Sequence, residues 1–173
     1  VQTSAIGQVV TITWNNRATY DTVELFRDGN LLATLPGDTE TYTDEGVAYG
    51  DHTYKVRGNR RHITTVKNSS MIRVLTPISN FDCSSLGRNV TLVWQNNDNY
   101  SATDVYRDGT LIGTTPGGAQ SYSDIDVGFG LHTYHLVSRG DRSETLPTHC
   151  MINVLQAPYM PSCSSEPDPV SNV

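Results

Sequence analysis

The sequence is short of charged side chains, and of basic ones in particular. Asp, Glu, Lys and Arg make up 17% of the 173 residues, and 18 acids against 12 bases give a net charge of -6. An average globular domain has about 25% charged residues. Because an acidic chain repels phosphate groups, we expect no binding to nucleic acid and no attraction to an anionic membrane surface.

Long apolar runs and helical periodicity are also missing. No segment approaches the length of a membrane span, so we expect no membrane insertion. No signal peptide opens the chain, and we expect a mature fragment or an excised piece of something longer. Thr, Ser, Asn, Gly and Asp are abundant instead, which is typical of short strands joined by turns and predicts an all-β protein.

The sequence also lacks the motifs of common active sites and metal centres. The five histidines and three cysteines form no His-x-x-x-His or Cys-x-x-Cys spacing, and no nucleophile elbow or phosphate-binding loop occurs. The acid pairs Asp44–Glu45 and Asp124–Asp126 fall in predicted loops, where solvated carboxylates are expected ahead of a weak calcium site. We therefore predict no catalytic activity, no cofactor and no metal site.

What the chain does contain is an internal repeat. Each matched segment recurs 80 residues later without a gap, which indicates a duplicated unit. The pairs are VTITW (10–14) with VTLVW (90–94), LFRDGNLLATLPG (25–37) with VYRDGTLIGTTPG (105–117), TYTDEGVAYGDHTYKV (41–56) with SYSDIDVGFGLHTYHL (121–136), and MIRVL (71–75) with MINVL (151–155).

Each unit has the sequence pattern of short strands. Val10, Ile12 and Trp14 alternate with polar residues, which predicts a half-buried strand with the Trp in the core. The Asp-Gly pairs in RDGN and RDGT predict two-residue hairpin turns. Seven short strands in about 80 residues, with a Trp on an early strand, are typical of an immunoglobulin-like sandwich. The second core is predicted to be weaker, because Thr103 and Ser138 replace Val23 and Gly58.

The combination of Arg-Asp-Gly-x-Leu, then Tyr-[Thr/Ser]-Asp, then Gly-x-His-Thr-Tyr resembles fibronectin type III domains, in particular those repeated in large secreted bacterial proteins. The resemblance covers nearly the whole chain and implies two tandem seven-stranded β-sandwiches, at 1–76 and 77–157. Residues 158–173 are predicted to be a Pro/Ser-rich linker or the start of a further repeat. His52 and His132 stand where the usual fibronectin pattern has a corner Tyr, and we expect them to fill that structural role.

The cysteines follow the repeat register. Cys83 and Cys150 correspond to Thr3 and Ser70, so one unit has both cysteines and the other has neither. Because the two cysteines are present or absent together, we expect a Cys83–Cys150 disulfide between the first and last strands of the second unit. Such a disulfide predicts an oxidising compartment. Cys163 is left over, and the pairings Cys150–Cys163 and Cys83–Cys163 stay open.

The tail also bears on assembly. DPVSNV at 168–173 resembles TPISNF at 76–81, which opens the second unit. Two interpretations fit: the chain is a window from a longer repeat array, or subunits connect head to tail through an edge strand. The first is favoured, and the expected partners are other domains of a larger protein or neighbouring copies of this one.

Three kinds of surface site are candidates for function. Arg139-Gly140-Asp141 spells an adhesion tripeptide in the loop before the last strand, but the first unit has Asn59-Arg60-Arg61 there, which favours an ordinary turn. Phe26 and Tyr106 are equivalent aromatic residues predicted to face outward, where they would stack on a sugar or, the favoured alternative, pack on neighbouring strands or across the junction between units. Asn-x-Ser/Thr sequons place candidate N-glycosylation at Asn68, Asn89 and Asn99.

Together these features predict a non-catalytic module that is secreted or displayed at a cell surface and serves spacing, assembly or adhesion. The alternative is an accessory carbohydrate-binding module of a secreted polysaccharide-degrading enzyme, with polysaccharide as its partner.

Overall fold

The computed structural model describes residues 1–61 and 63–156, with the backbone alone at positions 63 and 66–68. These residues form strands and turns and no helix. The strands of the first unit are β1 (Gln2–Ile6), β2 (Val9–Thr13), β3 (Thr22–Arg27), β4 (Asn30–Pro36), β5 (Thr41–Asp44), β6 (Gly50–Arg60) and β7 (Ile63–Val74).

The second unit repeats this order with one addition. The short strand β14 lies in the loop between β13 and the last strand, where the first unit has a tight β6–β7 hairpin. The strands are β8 (Ser79–Leu86), β9 (Asn89–Gln95), β10 (Ala102–Arg107), β11 (Thr110–Pro116), β12 (Ser121–Asp124), β13 (Gly130–Arg139), β14 (Ser143–Glu144) and β15 (Thr148–Val154).

Each unit packs a three-stranded layer against a four-stranded layer. The orders are β1-β2-β5 and β4-β3-β6-β7 in the first unit, and β8-β9-β12 and β11-β10-β13-β15 in the second. All pairs within these layers are antiparallel. The two predicted sandwiches are therefore present, with an extra short strand in the second.

The cores follow the predicted alternation. Trp14 and Trp94 are both buried, as the sequence pattern predicted. The buried apolar residues fall into one cluster within 5–74 and a second within 75–154. The second core keeps its two hydroxyls satisfied, because Thr103 Oγ1 and Ser138 Oγ lie 2.9 Å apart and form a hydrogen bond. The predicted polar weakness is thus offset by a partner for each group.

The Asp-Gly hairpins are confirmed in both units. Asp28 and Gly29 have φ values of 52° and 84°, and Asp108 and Gly109 have 52° and 81°. Two successive residues with positive φ are what a type I′ turn requires, and this turn matches the twist of the flanking strands.

Candidate functional site

Three residues of the repeated motif, Arg27, Asp44 and Tyr54, form a buried polar cluster that links the two layers of the first unit. Asp44, at the end of β5, accepts hydrogen bonds from Arg27 Nη1 at 2.7 Å and from the Tyr54 hydroxyl at 2.6 Å. Tyr54 is fully buried. Burial and the Asp44 carboxylate raise the pKa of the Tyr54 hydroxyl far above its ordinary value, so it stays a donor.

The second unit contains a copy of this cluster. Asp124, which ends β12, accepts hydrogen bonds from Arg107 Nη1 at 2.6 Å and from the Tyr134 hydroxyl at 2.8 Å. The prediction that Asp44 and Asp124 are loop carboxylates was wrong, because both end strands and turn toward buried partners. The Arg, Asp and Tyr of the motif therefore hold the sandwich together, and they are not arranged around an open cleft.

The two corner histidines form a second repeated cluster. His52 Nδ1 lies 2.7 Å from Asp28 Oδ2, and His52 Nε2 lies 2.9 Å from the carbonyl of Ala48. His132 makes the same contacts with Asp108 at 2.7 Å and with Gly128 at 3.0 Å. Each imidazole thus joins the hairpin turn to the corner before β6 or β13, which is the structural role that the resemblance implied.

The turn carboxylates in these clusters are held ionised. Burial alone would favour the neutral acid, but the Thr53 N–H and the His52 imidazole hold the pKa of Asp28 below its ordinary value. The pKa of Asp108 is lowered in the same way: burial opposes ionisation, while His132 and the Thr133 N–H favour it and prevail.

The Arg139-Gly140-Asp141 loop does not present its two charges together. Arg139 Nη2 donates to the buried Asp104 carboxylate at 2.7 Å, whereas Asp141 is 91% exposed and lies against Arg142. A Cβ added at Gly140 would lie 2.8 Å from Ser143 Oγ and 3.4 Å from Leu75. The glycine is therefore explained by close packing where the two units meet.

The same loop contacts the first unit directly. Strand β14 pairs in parallel with β1, with Ala5 opposite Ser143, and the Gly7 N–H donates to the Glu144 carbonyl at 2.8 Å. This pairing joins a three-stranded layer of one unit to the four-stranded layer of the other.

Arg142 completes this contact from the centre of the loop. Its Nη2 donates to the carbonyl of Met71 at 2.7 Å, and its Nη1 lies 3.2 Å from both Thr3 Oγ1 and Ser70 Oγ. The guanidinium therefore bridges the first and last strands of the first unit. We call the β1–β14 pairing and these Arg142 contacts the loop junction.

A second set of contacts fixes the connection between the units. Asp98 accepts from Arg73 Nε at 2.8 Å and from the Thr76 N–H at 3.1 Å, and the Tyr100 hydroxyl donates to the Thr76 carbonyl at 2.6 Å. Leu75 is 2% exposed and belongs to the core of the second unit. Burial opposes it, but the Thr76 N–H and Arg73 hold the pKa of Asp98 below its ordinary value. Sequence reasoning missed both sets of contacts.

Cys83 in β8 and Cys150 in β15 form a disulfide, with their Cα atoms 6.2 Å apart. This is the pairing that the repeat register favoured, and it joins the first and last strands of the second unit. Cys163, and with it the rival pairings, lies outside the described residues.

The two outward-facing aromatic residues have protein neighbours. The Arg57 guanidinium lies 4.7 Å above the centre of the Phe26 ring, and Tyr106 stacks on His135 with ring centroids 4.4 Å apart. One face of each ring is thus covered from a neighbouring strand. Glycan stacking at these positions stays a prediction.

The structure describes the side chains of two of the three sequon asparagines. Asn89 and Asn99 are exposed, while the side chain of Asn68 lies outside the described part of the chain. Glycosylation at all three stays a prediction.

Two open surface depressions lie beside the loop junction. One has a volume of about 350 Å³ between Ser4–Ile6 and Arg139–Glu144, and another of about 230 Å³ lies between β7 and the same loop. Among the described residues, no group of three or more His, Cys, Asp or Glu side chains is placed to hold a metal ion. The described part of the chain also contains no helix of the length and apolarity that a membrane crossing requires.

Comparison with known proteins shows the fold. No protein-family model matches the chain, and no curated protein matches it. The fibronectin(III)-like modules of Clostridium thermocellum CbhA match 91% of this chain and 94% of theirs, with 14% identity and a TM-score of 0.50. A two-domain fibronectin type III segment of chicken tenascin (14% identity, TM-score 0.46, 88% of this chain and 96% of that one) and the CD2-binding domain of CD58 (10% identity, TM-score 0.47, 90% and 96%) are also similar. The chain has the fold of tandem fibronectin type III-like modules, and the predicted fold is confirmed.

Proposed function

We propose that this chain is a non-catalytic extracellular spacer, in which two fibronectin type III-like modules are held at a fixed relative orientation. The loop junction carries this proposal. A linker without contacts would let the modules rotate freely, whereas β14, Arg142 and Asp98 each tie one unit to the other. Inter-domain motion is the ordinary expectation unless such an interface opposes it.

The disulfide of the second unit supports the proposed extracellular location. The Cys83–Cys150 disulfide closes a loop between strands 67 residues apart in sequence. Disulfides of this kind persist in secreted and surface proteins and are rare in reducing compartments.

The partner at the far end of the second unit is another module of the same kind. Leu155 stands 80 residues after the buried Leu75, yet it is 70% exposed. It belongs to what we call the free pole, a set of exposed apolar side chains at the end of β8, in the loop before β13, at the start of β13 and just after β15. The free pole consists of Leu86, Ile125, Phe129, Leu131 and Leu155.

Distance measurements between spin labels test the fixed orientation. The exposed, equivalent positions Asn30 and Thr110 are changed to Cys and labelled in a Cys163→Ser background. A single narrow distance distribution is expected for two docked modules. A broad distribution would contradict the proposed spacer.

A further inference from the structure

Three ring side chains form a row across the outer face of the four-stranded layer of the second unit. Tyr106 in β10 is opposite His135 in β13, and His135 is opposite His149 in β15. Their sequence neighbours Val105 and Leu136 are buried. Because side chains alternate along a strand, the three rings face away from the core.

The two histidines are close enough to share a ligand. Their ring centroids are 5.4 Å apart, and the ring planes are inclined by 48°. In zinc sites the metal–nitrogen distance is about 2.0–2.1 Å, which places two imidazole centroids about 5 Å apart at a tetrahedral angle. The observed separation therefore fits two imidazoles bound to one ion.

The surroundings prepare His135 for ligation. Tyr106 lies flat against it, with the planes inclined by 8°, so one face of the imidazole packs against the phenol ring in the absence of an ion. Burial and the neighbouring His149 lower the pKa of His135. This lowering favours the uncharged form of the imidazole, which is the form that binds metal ions.

The first unit lacks this arrangement. The positions equivalent to Tyr106, His135 and His149 are Phe26, Lys55 and Ser69. A protonated Lys does not ligate a cation, so the pair belongs to the second unit and is independent of the shared fold. His52 and His132 are also separate from it, since both of their ring nitrogens are engaged by Asp and carbonyl oxygens.

We propose that His135 and His149 form a two-histidine site for a divalent transition-metal ion such as Zn²⁺ or Ni²⁺, with water completing the coordination. Imidazole suits these ions, whereas Ca²⁺ and Mg²⁺ prefer oxygen ligands. Tyr106 is a positioning residue, which acts through the ring of His135 and does not touch the ion.

Calorimetric titration with ZnCl₂ and NiCl₂ at pH 7.5 tests the site. The Cys163→Ser background removes a thiol outside the described residues that would compete for the ion. Saturable binding of one ion per chain is expected, with CaCl₂ giving none. His135→Asn and His149→Asn should each lower the affinity by about tenfold or more, because the second ligand then no longer acts at a high effective concentration.

Three control variants identify the side chains on which binding depends. His62→Asn should leave binding unchanged, Tyr106→Phe should preserve it, and Tyr106→Ala should weaken it. The pair Lys55→His and Ser69→His should add a second binding equivalent in the first unit. Circular dichroism checks that each variant is folded.

The proposal fails if millimolar Zn²⁺ and Ni²⁺ give no saturable binding. It also fails if either histidine variant keeps the full affinity, or if His62→Asn removes the binding. The variant with Lys55→His and Ser69→His should bind two ions per chain. Binding of only one ion would show that two histidines at these paired strand positions do not by themselves form a metal site.

Discussion

The hydroxyls of Thr3 and Ser70 lie 2.9 Å apart and form a hydrogen bond at the positions where the second unit has its disulfide. Thr3 in β1 corresponds to Cys83 in β8, and Ser70 in β7 corresponds to Cys150 in β15. The same pair of strands is thus joined by a covalent bond in one unit and by a hydroxyl pair in the other. The hydroxyl pair has a further use, because both oxygens also lie 3.2 Å from Arg142.

Thr3→Cys with Ser70→Cys should therefore give the first unit a disulfide. Closing a loop of 67 residues stabilises a fold by up to about 4 kcal/mol in the chain-entropy model. Thermal unfolding with and without reductant measures the gain, and thiol titration reports the bond. Free thiols at both positions after oxidation would show that β1 and β7 do not hold these side chains within bonding distance. Cys83→Ala with Cys150→Ala is the matched control and should destabilise the second unit.

The buried tyrosine clusters should respond equally in the two units. Tyr54→Phe and Tyr134→Phe each remove one hydrogen bond to a carboxylate that keeps its arginine, so each should cost about 1–2 kcal/mol. Asp44→Ala should cost more, because it leaves the buried Tyr54 hydroxyl without its acceptor. Urea unfolding of the three variants provides the comparison. An unchanged free energy of unfolding in Asp44→Ala would mean that the cluster does not stabilise the fold.

The turn carboxylates should make the protein sensitive to acid. The folded pKa values of Asp28 and Asp108 lie below their unfolded values. Their contribution is therefore fully present above the unfolded value of about 4 and is lost as the pH falls through the folded value. Unfolding free energies between pH 2 and 6 should decline with falling pH. Asp28→Asn together with Asp108→Asn should make this decline shallower, and an unchanged slope would exclude these groups as its source.

The adhesion tripeptide should be inactive in the folded protein. Arg139 is held by Asp104 while Asp141 points into solvent, so the two side chains are not offered together to one receptor. Attachment of animal cells to a surface coated with the protein should equal that of Asp141→Glu, which alters the carboxylate position. Attachment that disappears in this variant would restore the adhesion hypothesis.

The sequence predicted those features that local pattern or repeat register controls. The alternation around Trp14 placed the core, Asp28-Gly29 specified the hairpin turn, and the matched positions of Cys83 and Cys150 favoured the disulfide. Each depends on residues that recur at fixed spacing.

The features that sequence reasoning missed depend on how separate segments are placed. Asp44 and its acidic neighbour Glu45 stand in a segment that resembles a loop, and the partners of Asp44, Arg27 and Tyr54, lie on other strands. His135 and His149 are brought together by strand pairing across a long loop. The loop junction depends on Arg142, whose local sequence does not distinguish it from other charged residues in loops. Its contacts depend on the relative orientation of the two units, which no local sequence pattern encodes.

The relative orientation of the two units provides the most direct test of the spacer. Residual dipolar couplings report the alignment of each unit separately, so one shared alignment tensor is expected for the native chain. Arg142→Ala removes the guanidinium from the loop junction, and Arg60→Ala, at the end of β6 in the first unit, is the control. The account predicts one shared tensor in the native protein and in Arg60→Ala. It predicts tensors that diverge more in Arg142→Ala combined with Asp98→Ala than in Arg142→Ala alone, because β14, Arg142 and Asp98 each tie the units together. Independent tensors in the native protein would contradict it.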